Sequence, residues 1–122
     1  MSDIVVLVAD DDDDILLLVT TRLRRDGFEV ISARNGEEAL ALAKERKPDI
    51  AVLDIGMPKL DGLEVLEKIR ADDALQGMLV LLLTAKAQES DVSRGFDAGA
   101  DAYVRKPFSP ADLSARVREL SG

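Results

Sequence analysis

Short apolar runs alternate along this chain with longer segments in which apolar residues recur every three or four positions. The first run is rich in β-branched residues and has the length of a strand, and the segment after it places its apolar side chains on one face of a helix. The alternation repeats five times and predicts five strands, each followed by a helix. The predicted strands are 4–9, 28–33, 49–53, 78–83 and 102–105, and the predicted helices are 15–25, 36–47, 60–71, 88–98 and 110–120.

Strands that are short, continuously apolar and separated by helices are typical of a parallel sheet covered on both faces. The pattern therefore predicts an α/β fold of three layers, a doubly wound (βα)5 unit with a five-stranded parallel sheet. Helix ends are marked by Gly27, Pro48 and Gly99, and helix starts by Asn35 and by Ser109 before Pro110. We expect residues 1–122 to form one domain.

Composition narrows the function classes. The 122 residues are 47% hydrophobic and 33% charged, as in globular domains, and the net charge of -8 disfavours direct binding of nucleic acid. No apolar run approaches the ~18 residues of a membrane span, and no secretory signal is present, so a cytoplasmic location away from the membrane is expected. The chain has no cysteine and no histidine, which leaves carboxylate oxygens as the metal ligands to consider.

Polar residues whose side chains can bind a ligand or react stand where the predicted strands end. Asp10 and Asp11 follow the first strand, Asp54 the third, Thr84 the fourth, and Lys106 the fifth. The carboxyl ends of parallel strands meet at one edge of an open α/β sheet, where ligands bind. The sequence therefore predicts that three carboxylates, one hydroxyl and one ammonium converge there.

Such a cluster needs a cation. Each pair of carboxylates ~4 Å apart repels by roughly 1 to 4 kcal/mol at effective dielectric constants between those of water and a protein surface. Asp10, Asp11 and Asp54 with Lys106 leave two negative charges, which one divalent ion neutralises. Mg²⁺ suits a few carboxylates, retained waters and a phosphate oxygen better than Ca²⁺ does. A carboxylate beside Mg²⁺ and lysine can accept a phosphoryl group as a nucleophile.

Each residue alone also has a simpler interpretation. The run of five aspartates from Asp10 to Asp14 is consistent with a solvated loop and a helix cap, and Asp61 before Gly62 is typical of a cap. Thr84 alone would be a strand-end hydroxyl, and Lys106 alone a surface charge. Their shared position at strand ends favours the functional interpretation.

Four segments together resemble the receiver domain of bacterial two-component response regulators, the chemotaxis-type phosphoacceptor fold. The resemblance covers nearly the whole chain, and the four segments occur in family order and spacing. They are Val8-Ala9-Asp10-Asp11-Asp12, Asp54-Ile55-Gly56-Met57-Pro58 with Leu60-Asp61-Gly62, Leu83-Thr84-Ala85, and the stretch 99–108 that contains Tyr103-Val104-Arg105-Lys106-Pro107.

The resemblance implies the flavodoxin-like strand order 2-1-3-4-5 and a role for each matching residue. Asp54 would accept the phosphoryl group from a phosphohistidine on a sensor histidine kinase or phosphotransfer protein. Mg²⁺ would be held by Asp10, Asp11, Asp54 and the main-chain carbonyl of Gly56. Thr84 would bond the phosphoryl oxygen, Lys106 would pair with it, and Tyr103 would turn inward. The face of the fourth helix, fifth strand and fifth helix would then act on an output partner that the sequence does not name.

Two departures qualify that resemblance. Gly56 stands where many relatives carry a side chain that affects the lifetime of the phosphoryl group. Regulators that dimerise through the fourth and fifth helices and the last strand carry a set of ion pairs across that interface, and Asp101, Asp112 and Arg116 match members of the set. Val92 and Ala102 replace charged members of that set. The expected state is a monomer or weak dimer.

Two other function classes remain open from the sequence. A phosphohydrolase that passes through an aspartyl phosphate would use a second acid two residues after the nucleophile, and that position is Gly56. A flavodoxin-like binding module would need a loop that attracts phosphate, whereas the Asp-rich loop repels it unless a metal intervenes. Turnover of many substrate equivalents would identify the phosphohydrolase, and a coloured protein the flavin binder.

Overall fold

A five-stranded parallel sheet with helices on both faces forms the structure, a computed structural model that describes residues 3–85 and 89–122, with side chains from residue 93 onward in the second range. The elements alternate from strand to helix along the chain, as the sequence predicts. They are β1 Val5–Ala9, α1 Asp13–Arg25, β2 Glu29–Ala33, α2 Gly36–Arg46, β3 Ile50–Asp54, α3 Gly62–Ala71, β4 Leu79–Thr84, α4 Glu89–Asp97, β5 Ala102–Arg105 and α5 Pro110–Ser121.

The strand order is β2-β1-β3-β4-β5, with every pair parallel. This confirms the predicted fold class and the order 2-1-3-4-5. The strand order reverses at β1, because β2 lies on one side of β1 and β3 lies on the other. The carboxyl ends of β1 and β3 therefore border a crevice. Asp10 and Asp54 stand at these ends.

Successive side chains of the inner strands enter two separate cores. In β3, Ala51 and Leu53 pack on the side of α2 and α3, whereas Ile50 and Val52 pack on the side of α1 and α5. All four side chains are fully buried. The alternation confirms the three-layer prediction, and it explains why residues 50–53 of β3 are all apolar.

Side-chain caps set the starts of α1 and α3 two residues away from the predicted positions. The Asp12 carboxylate accepts hydrogen bonds from the main-chain N–H groups of Asp14 and Ile15, so α1 begins at Asp13 rather than at residue 15. Asp61 and Glu64 form a reciprocal capping box, so α3 begins at Gly62 rather than at residue 60.

The remaining predicted boundaries that can be compared lie within two residues of those observed. A short 3-10 turn, Asp73–Leu75, was not predicted from the sequence. The predicted start of the fourth helix at residue 88 lies outside the described residues. Among the helices of the described ranges, none is long and apolar enough to cross a membrane.

Candidate functional site

Three carboxylates meet at the carboxyl edge of the sheet. Asp10 directly follows β1, Asp11 comes next, and Asp54 is the last residue of β3. One carboxylate oxygen from each lies within 4.8 Å of the other two. The environments differ, because Asp10 is fully buried and Asp54 is 4% exposed, whereas Asp11 is open to solvent. The predicted convergence of these acids is what the structure shows.

Lys106 brings a positive charge to the two buried acids. Its ammonium lies 3.1 Å from Oδ2 of Asp10 and 3.3 Å from Oδ1 of Asp54. The main chain is held as well, since the Lys106 N–H donates to the carbonyl of Thr84 at 2.6 Å. The following peptide bond to Pro107 is cis. Lys106 is therefore fixed between the ends of β4 and β1.

Main-chain N–H groups hold one oxygen of each buried carboxylate. The N–H of Asp12 donates to Oδ1 of Asp10 at 2.9 Å, and the N–H of Gly56 donates to Oδ1 of Asp54 at 3.2 Å. Oδ2 of Asp10 contacts the Lys106 ammonium but makes no hydrogen bond of good geometry with any group in the described ranges. A buried carboxylate oxygen in that condition has capacity for another cationic partner.

The surroundings of Asp54 disfavour the charged form of its carboxyl group. Burial raises its pKa to about 6, the Asp10 charge acts in the same direction, and Lys106 and the Gly56 N–H only partly offset both. Burial by itself lowers the pKa of Lys106, but its contact with Asp10 and the charges of Asp54 and Asp10 outweigh that and raise the pKa above the ordinary value. The raised pKa of Asp54 therefore has burial as its main cause and the neighbouring Asp10 charge as the second.

The donor set fits a hard divalent cation. Three carboxylates face one another, one buried oxygen lacks a hydrogen-bond partner among the described residues, and one ammonium leaves two negative charges. Oxygen ligands of this kind are those that Mg²⁺ takes in proteins, with water completing its shell. Asp10, Asp11 and Asp54 are the side chains that would hold the ion.

Thr84 and Gly56 lie beside the cluster in different environments. Thr84, the last residue of β4, is 1% exposed, and its hydroxyl donates to the carbonyl of Ala85 at 3.1 Å rather than to a carboxylate. Gly56 is exposed on the loop after β3. The N–H of Gly56 contacts Asp54, and the roles predicted for Thr84 and Gly56 stay predictions.

Tyr103 lies farther out, on β5. Its ring is 38% exposed and meets Phe96 of α4 edge to face, with 5.6 Å between ring centroids and 79° between ring planes. The register pairs Tyr103 with Leu82 of the neighbouring strand, two residues before Thr84. Thr84 and Tyr103 therefore lie on adjacent strands, with the hydroxyl of Thr84 buried and the ring of Tyr103 partly exposed.

Two contributors to the site were missed by sequence reasoning. Asp12 was predicted only as a helix cap, yet its main-chain N–H also holds Asp10. The available signal was an aspartate directly after a strand, whose carboxylate can accept from the main-chain N–H two residues on. Gly62 was predicted only as part of a cap, yet its backbone lies directly against Asp54. A glycine at the first position of a helix was the signal there.

A family model for the response regulator receiver domain matches residues 6–118. The alkaline phosphatase synthesis transcriptional regulatory protein PhoP of Bacillus subtilis is 47% identical over 98 residues, 80% of this chain and 40% of that protein. A probable transcriptional regulator ycf27 of Porphyridium aerugineum is 45% identical over 82% of this chain and 40% of that protein. The chain thus spans about two fifths of these curated relatives.

Solved structures match over nearly the full length of the chain. A response regulator from Chloroflexus aurantiacus, described as putative, superimposes with a TM-score of 0.91 at 34% identity, covering 98% of each chain. The chemotaxis response regulator CheY4 of Vibrio cholerae superimposes with a TM-score of 0.91 at 29% identity, covering 98% of this chain and 99% of that chain.

Proposed function

Because this chain belongs to the response regulator receiver domain family, which serves phosphorylation-dependent signalling in two-component systems, we propose that it accepts a phosphoryl group on Asp54 and thereby switches. The observation that carries the proposal is the buried Asp54 carboxylate, held at the end of β3 beside Asp10, Asp11 and the Lys106 ammonium. Nucleophile, charge-stabilising lysine and candidate metal ligands are together in one crevice.

The chemistry follows from the positions of the side chains. An oxygen of Asp54 attacks the phosphorus of a phosphohistidine, the P–N bond breaks, and its electron pair stays on the departing imidazole. Lys106, 3.3 Å from Oδ1 of Asp54, stabilises the charge that develops on the transferring oxygens. Asp10, Asp11, Asp54 and the Gly56 carbonyl would hold Mg²⁺, which would neutralise the acids and polarise the phosphoryl oxygens. The product is an aspartyl phosphate on Asp54.

The donor in this proposal is a sensor histidine kinase or a phosphotransfer protein. An apolar groove of about 290 Å³, lined by Ile15, Leu18, Pro107 and Phe108, adjoins Lys106. Leu18 and its neighbour Leu17 are 57% and 65% exposed on the outer face of α1. An exposed apolar surface beside the site gives a protein donor a place to dock.

Output in this proposal passes through the face of α4, β5 and α5. Thr84 lies at the end of the buried β4, and Tyr103 sits partly exposed on the neighbouring strand against Phe96 of α4. A hydroxyl that moves toward a phosphorylated Asp54 leaves space that the ring of Tyr103 can enter. Two curated relatives are named as transcriptional regulators, which supports an output segment or partner outside this chain that acts on gene expression.

A monomer or weak dimer remains the proposed assembly state. The Asp101 carboxylate is engaged within its own chain, where it accepts hydrogen bonds from Arg70 at 3.0 Å and from the Val80 N–H at 2.8 Å. Ala102 is buried at 3% exposure and offers no charge. The side chain of Val92 lies outside the described residues.

Phosphoryl transfer from a purified phosphorylated sensor kinase tests the proposal against the rival phosphohydrolase. Stoichiometric uptake, with at most slow release of phosphate, is expected of a switch. Rapid release of many equivalents from phosphate monoesters would identify an enzyme instead. The position that a phosphohydrolase would use for its second acid is Gly56, and the family membership also favours the switch.

A further inference from the structure

The first residue of α3 lies directly against the main chain of Asp54. A Cβ atom built on Gly62 would come within 2.7 Å of the Asp54 carbonyl oxygen, 3.0 Å of the Asp54 carbonyl carbon and 3.1 Å of the Ile55 Cα. These neighbours are backbone atoms, which cannot rotate away as a flexible side chain can. An added methyl group must therefore displace either the start of α3 or the end of β3.

Space is the reason for glycine at this position. Gly62 is not among the glycines whose φ lies in the left-handed region, so its backbone conformation is open to other residues. Glycine is also less favourable than alanine inside a helix, since it loses more conformational freedom. What only glycine supplies here is the missing Cβ, which lets α3 approach the phosphoacceptor strand.

The start of α3 is firmly anchored on this contact. The N–H of Gly62 donates to the carbonyl of Ile55 at 3.2 Å. The capping box between Asp61 and Glu64 fixes the preceding residue through two hydrogen bonds of 2.8 and 3.1 Å. The N–H of Val65 also donates to the Asp61 carbonyl at 3.0 Å. A rigid first turn therefore bears on the end of β3.

The same strand end carries groups that the metal site needs. Asp54 supplies a carboxylate, and the N–H of Gly56 holds its Oδ1 at 3.2 Å. One carboxylate oxygen from each of the three acids lies within 4.8 Å of the other two, so a small displacement of the Asp54 main chain changes the spacing of the donor set. Mg²⁺ demands near-ideal ligand geometry and tolerates such displacement poorly.

We propose that Gly62 is a positioning residue for the phosphoacceptor: by omitting a Cβ, it lets the capped start of α3 set the place of Asp54 relative to Asp10 and Asp11. This inference rests on the proposed function for its biological consequence. Its physical content, that α3 determines the geometry of the acid cluster, concerns the metal-free protein as well.

Mg²⁺ affinity and backbone NMR of the whole chain test the inference in Gly62→Ala. The expected result is a dissociation constant for Mg²⁺ raised by roughly tenfold, the lower end of what loss of a supporting residue costs a metal site. Without metal, the amide signals of Ile55 and Gly56 should shift from their parent positions. Phosphoryl uptake from a small-molecule donor should slow in parallel.

Two controls separate positioning from loss of stability. Gly77→Ala adds a methyl group that meets nothing within 4 Å, and it should leave Mg²⁺ affinity unchanged. Val117→Ala removes volume from the fully buried core on the α1 and α5 side, on the opposite face of the sheet from α3, and it should lower the melting temperature without weakening Mg²⁺ binding. A third variant, Glu64→Ala, is not a control, because it removes one exposed hydrogen bond of the capping box. It should weaken Mg²⁺ binding as Gly62→Ala does, but by a smaller factor.

The outcomes are distinct. Parent-like Mg²⁺ affinity and parent-like amide signals of Ile55 and Gly56 in Gly62→Ala would overturn the inference and leave the proposed function standing. Equal weakening in Val117→Ala would also overturn it, since a general loss of stability would then explain the effect. If Gly62→Ala does not fold, unchanged Mg²⁺ affinity in Glu64→Ala decides against the inference. Absence of Mg²⁺ binding by the parent would contradict the proposed function, and the metal-free amide signals would still decide the inference.

Discussion

The Lys106 ammonium lies 3.1 Å from Oδ2 of Asp10, a fully buried oxygen that makes no hydrogen bond of good geometry with any group in the described ranges. Lys106 is also the 3.3 Å partner of Asp54. One ammonium thus serves two buried carboxylates, with the exposed carboxylate of Asp11 close by. The metal-free site carries more negative charge than its own cation balances, and the first three predictions below follow from that excess.

Replacing Lys106 should destabilise the metal-free protein. Lys106→Met leaves Asp10 and Asp54 without their shared partner, and loss of one partner of a largely buried ion pair leaves an uncompensated charge. We expect the free energy of unfolding to fall by roughly 1 to 3 kcal/mol, measured by urea denaturation at pH 7. Lys59→Met is the matched control, because Lys59 is 61% exposed and 3.7 Å from Glu37. A fall no larger than in the control would contradict the assigned pairing.

Replacing Asp11 should have the opposite effect on the metal-free protein. Asp11→Asn removes one like charge from the cluster and should raise the free energy of unfolding by about 1 kcal/mol, the repulsion expected at ~4 Å in a solvent-exposed setting. The same change should weaken Mg²⁺ binding, because a carboxylate ligand is lost. Calorimetry with and without Mg²⁺ measures both effects.

Asp14→Asn is the control for Asp11. Asp14 lies in the first turn of α1, where a negative charge favours the helix, so its removal should leave stability unchanged or lower it. Mg²⁺ affinity should stay at the parent value. Lower metal-free stability of Asp11→Asn together with parent-like Mg²⁺ affinity would contradict the assigned role of Asp11.

The raised pKa of Asp54 predicts a pH dependence of stability with a definite sign. Its pKa is about 6 in the folded protein and 3.8 as the ordinary value, so the folded state holds the proton more tightly than the unfolded state. The resulting stabilisation is complete below about pH 4 and is lost as pH rises through 6. Metal-free parent protein should therefore lose stability between pH 4.5 and 7 relative to Asp54→Asn.

The titration of Asp54 should also govern Mg²⁺ affinity, with a pH dependence opposite to that of the metal-free stability. Protons compete with the metal for Asp54, so affinity should rise as pH increases through 6. The measurement is a series of Mg²⁺ titrations between pH 5 and 7.5, with unfolding experiments on parent and Asp54→Asn at the same values. A stability difference that is flat over this range, or that grows in favour of the parent with pH, would show that Asp54 does not titrate as described.

Thr84 should couple phosphorylation to the face of α4, β5 and α5. A phosphoryl group on Asp54 adds charge and acceptor oxygens, so the Thr84 hydroxyl can exchange its bond to the Ala85 carbonyl for a charge-assisted one. A free-energy difference of a few kcal/mol is enough to reverse the populations of two conformations in equilibrium. Thr84→Ala should accept the phosphoryl mimic beryllofluoride and yet lose the amide shifts that the parent shows across residues 93–120.

Thr84→Ser keeps the hydroxyl and serves as the control for this experiment. It should retain shifts across residues 93–120 close to those of the parent. Shifts of parent size in Thr84→Ala would remove Thr84 from the coupling. Parent shifts confined to the surroundings of Asp10, Asp11 and Asp54 would mean that the change does not reach Tyr103.

Most of the fold was predictable because its signals are local. Apolar runs of strand length, helical periodicity and caps such as Asn35 and Ser109 act within a few residues, and the helices begin beside them. The convergence of Asp10 and Asp54 was predictable for a different reason. Parallel strands end at a common edge, so a residue's place at a strand end carries three-dimensional information.

Contacts between side chains distant in sequence were not predictable from such signals. The buried Ser114 hydroxyl bonds to the Asp26 carboxylate, 88 residues away, and lowers the pKa of Asp26. Arg70 reaches the Gly99 carbonyl, 29 residues away, at 3.0 Å. Periodicity says which face of a helix is polar, but it does not say which polar group of another element that face will meet.

The central claim is that Asp54 is the phosphoacceptor, and intact-mass measurement after incubation with acetyl phosphate and Mg²⁺ tests it most directly. The parent should gain one phosphoryl group, the gain should be lost when Mg²⁺ is removed by chelation, and Asp54→Ala should gain none. Asp14→Asn, which alters an acid outside the cluster, should gain the group as the parent does. Phosphoryl uptake by Asp54→Ala equal to that of the parent would contradict the claim.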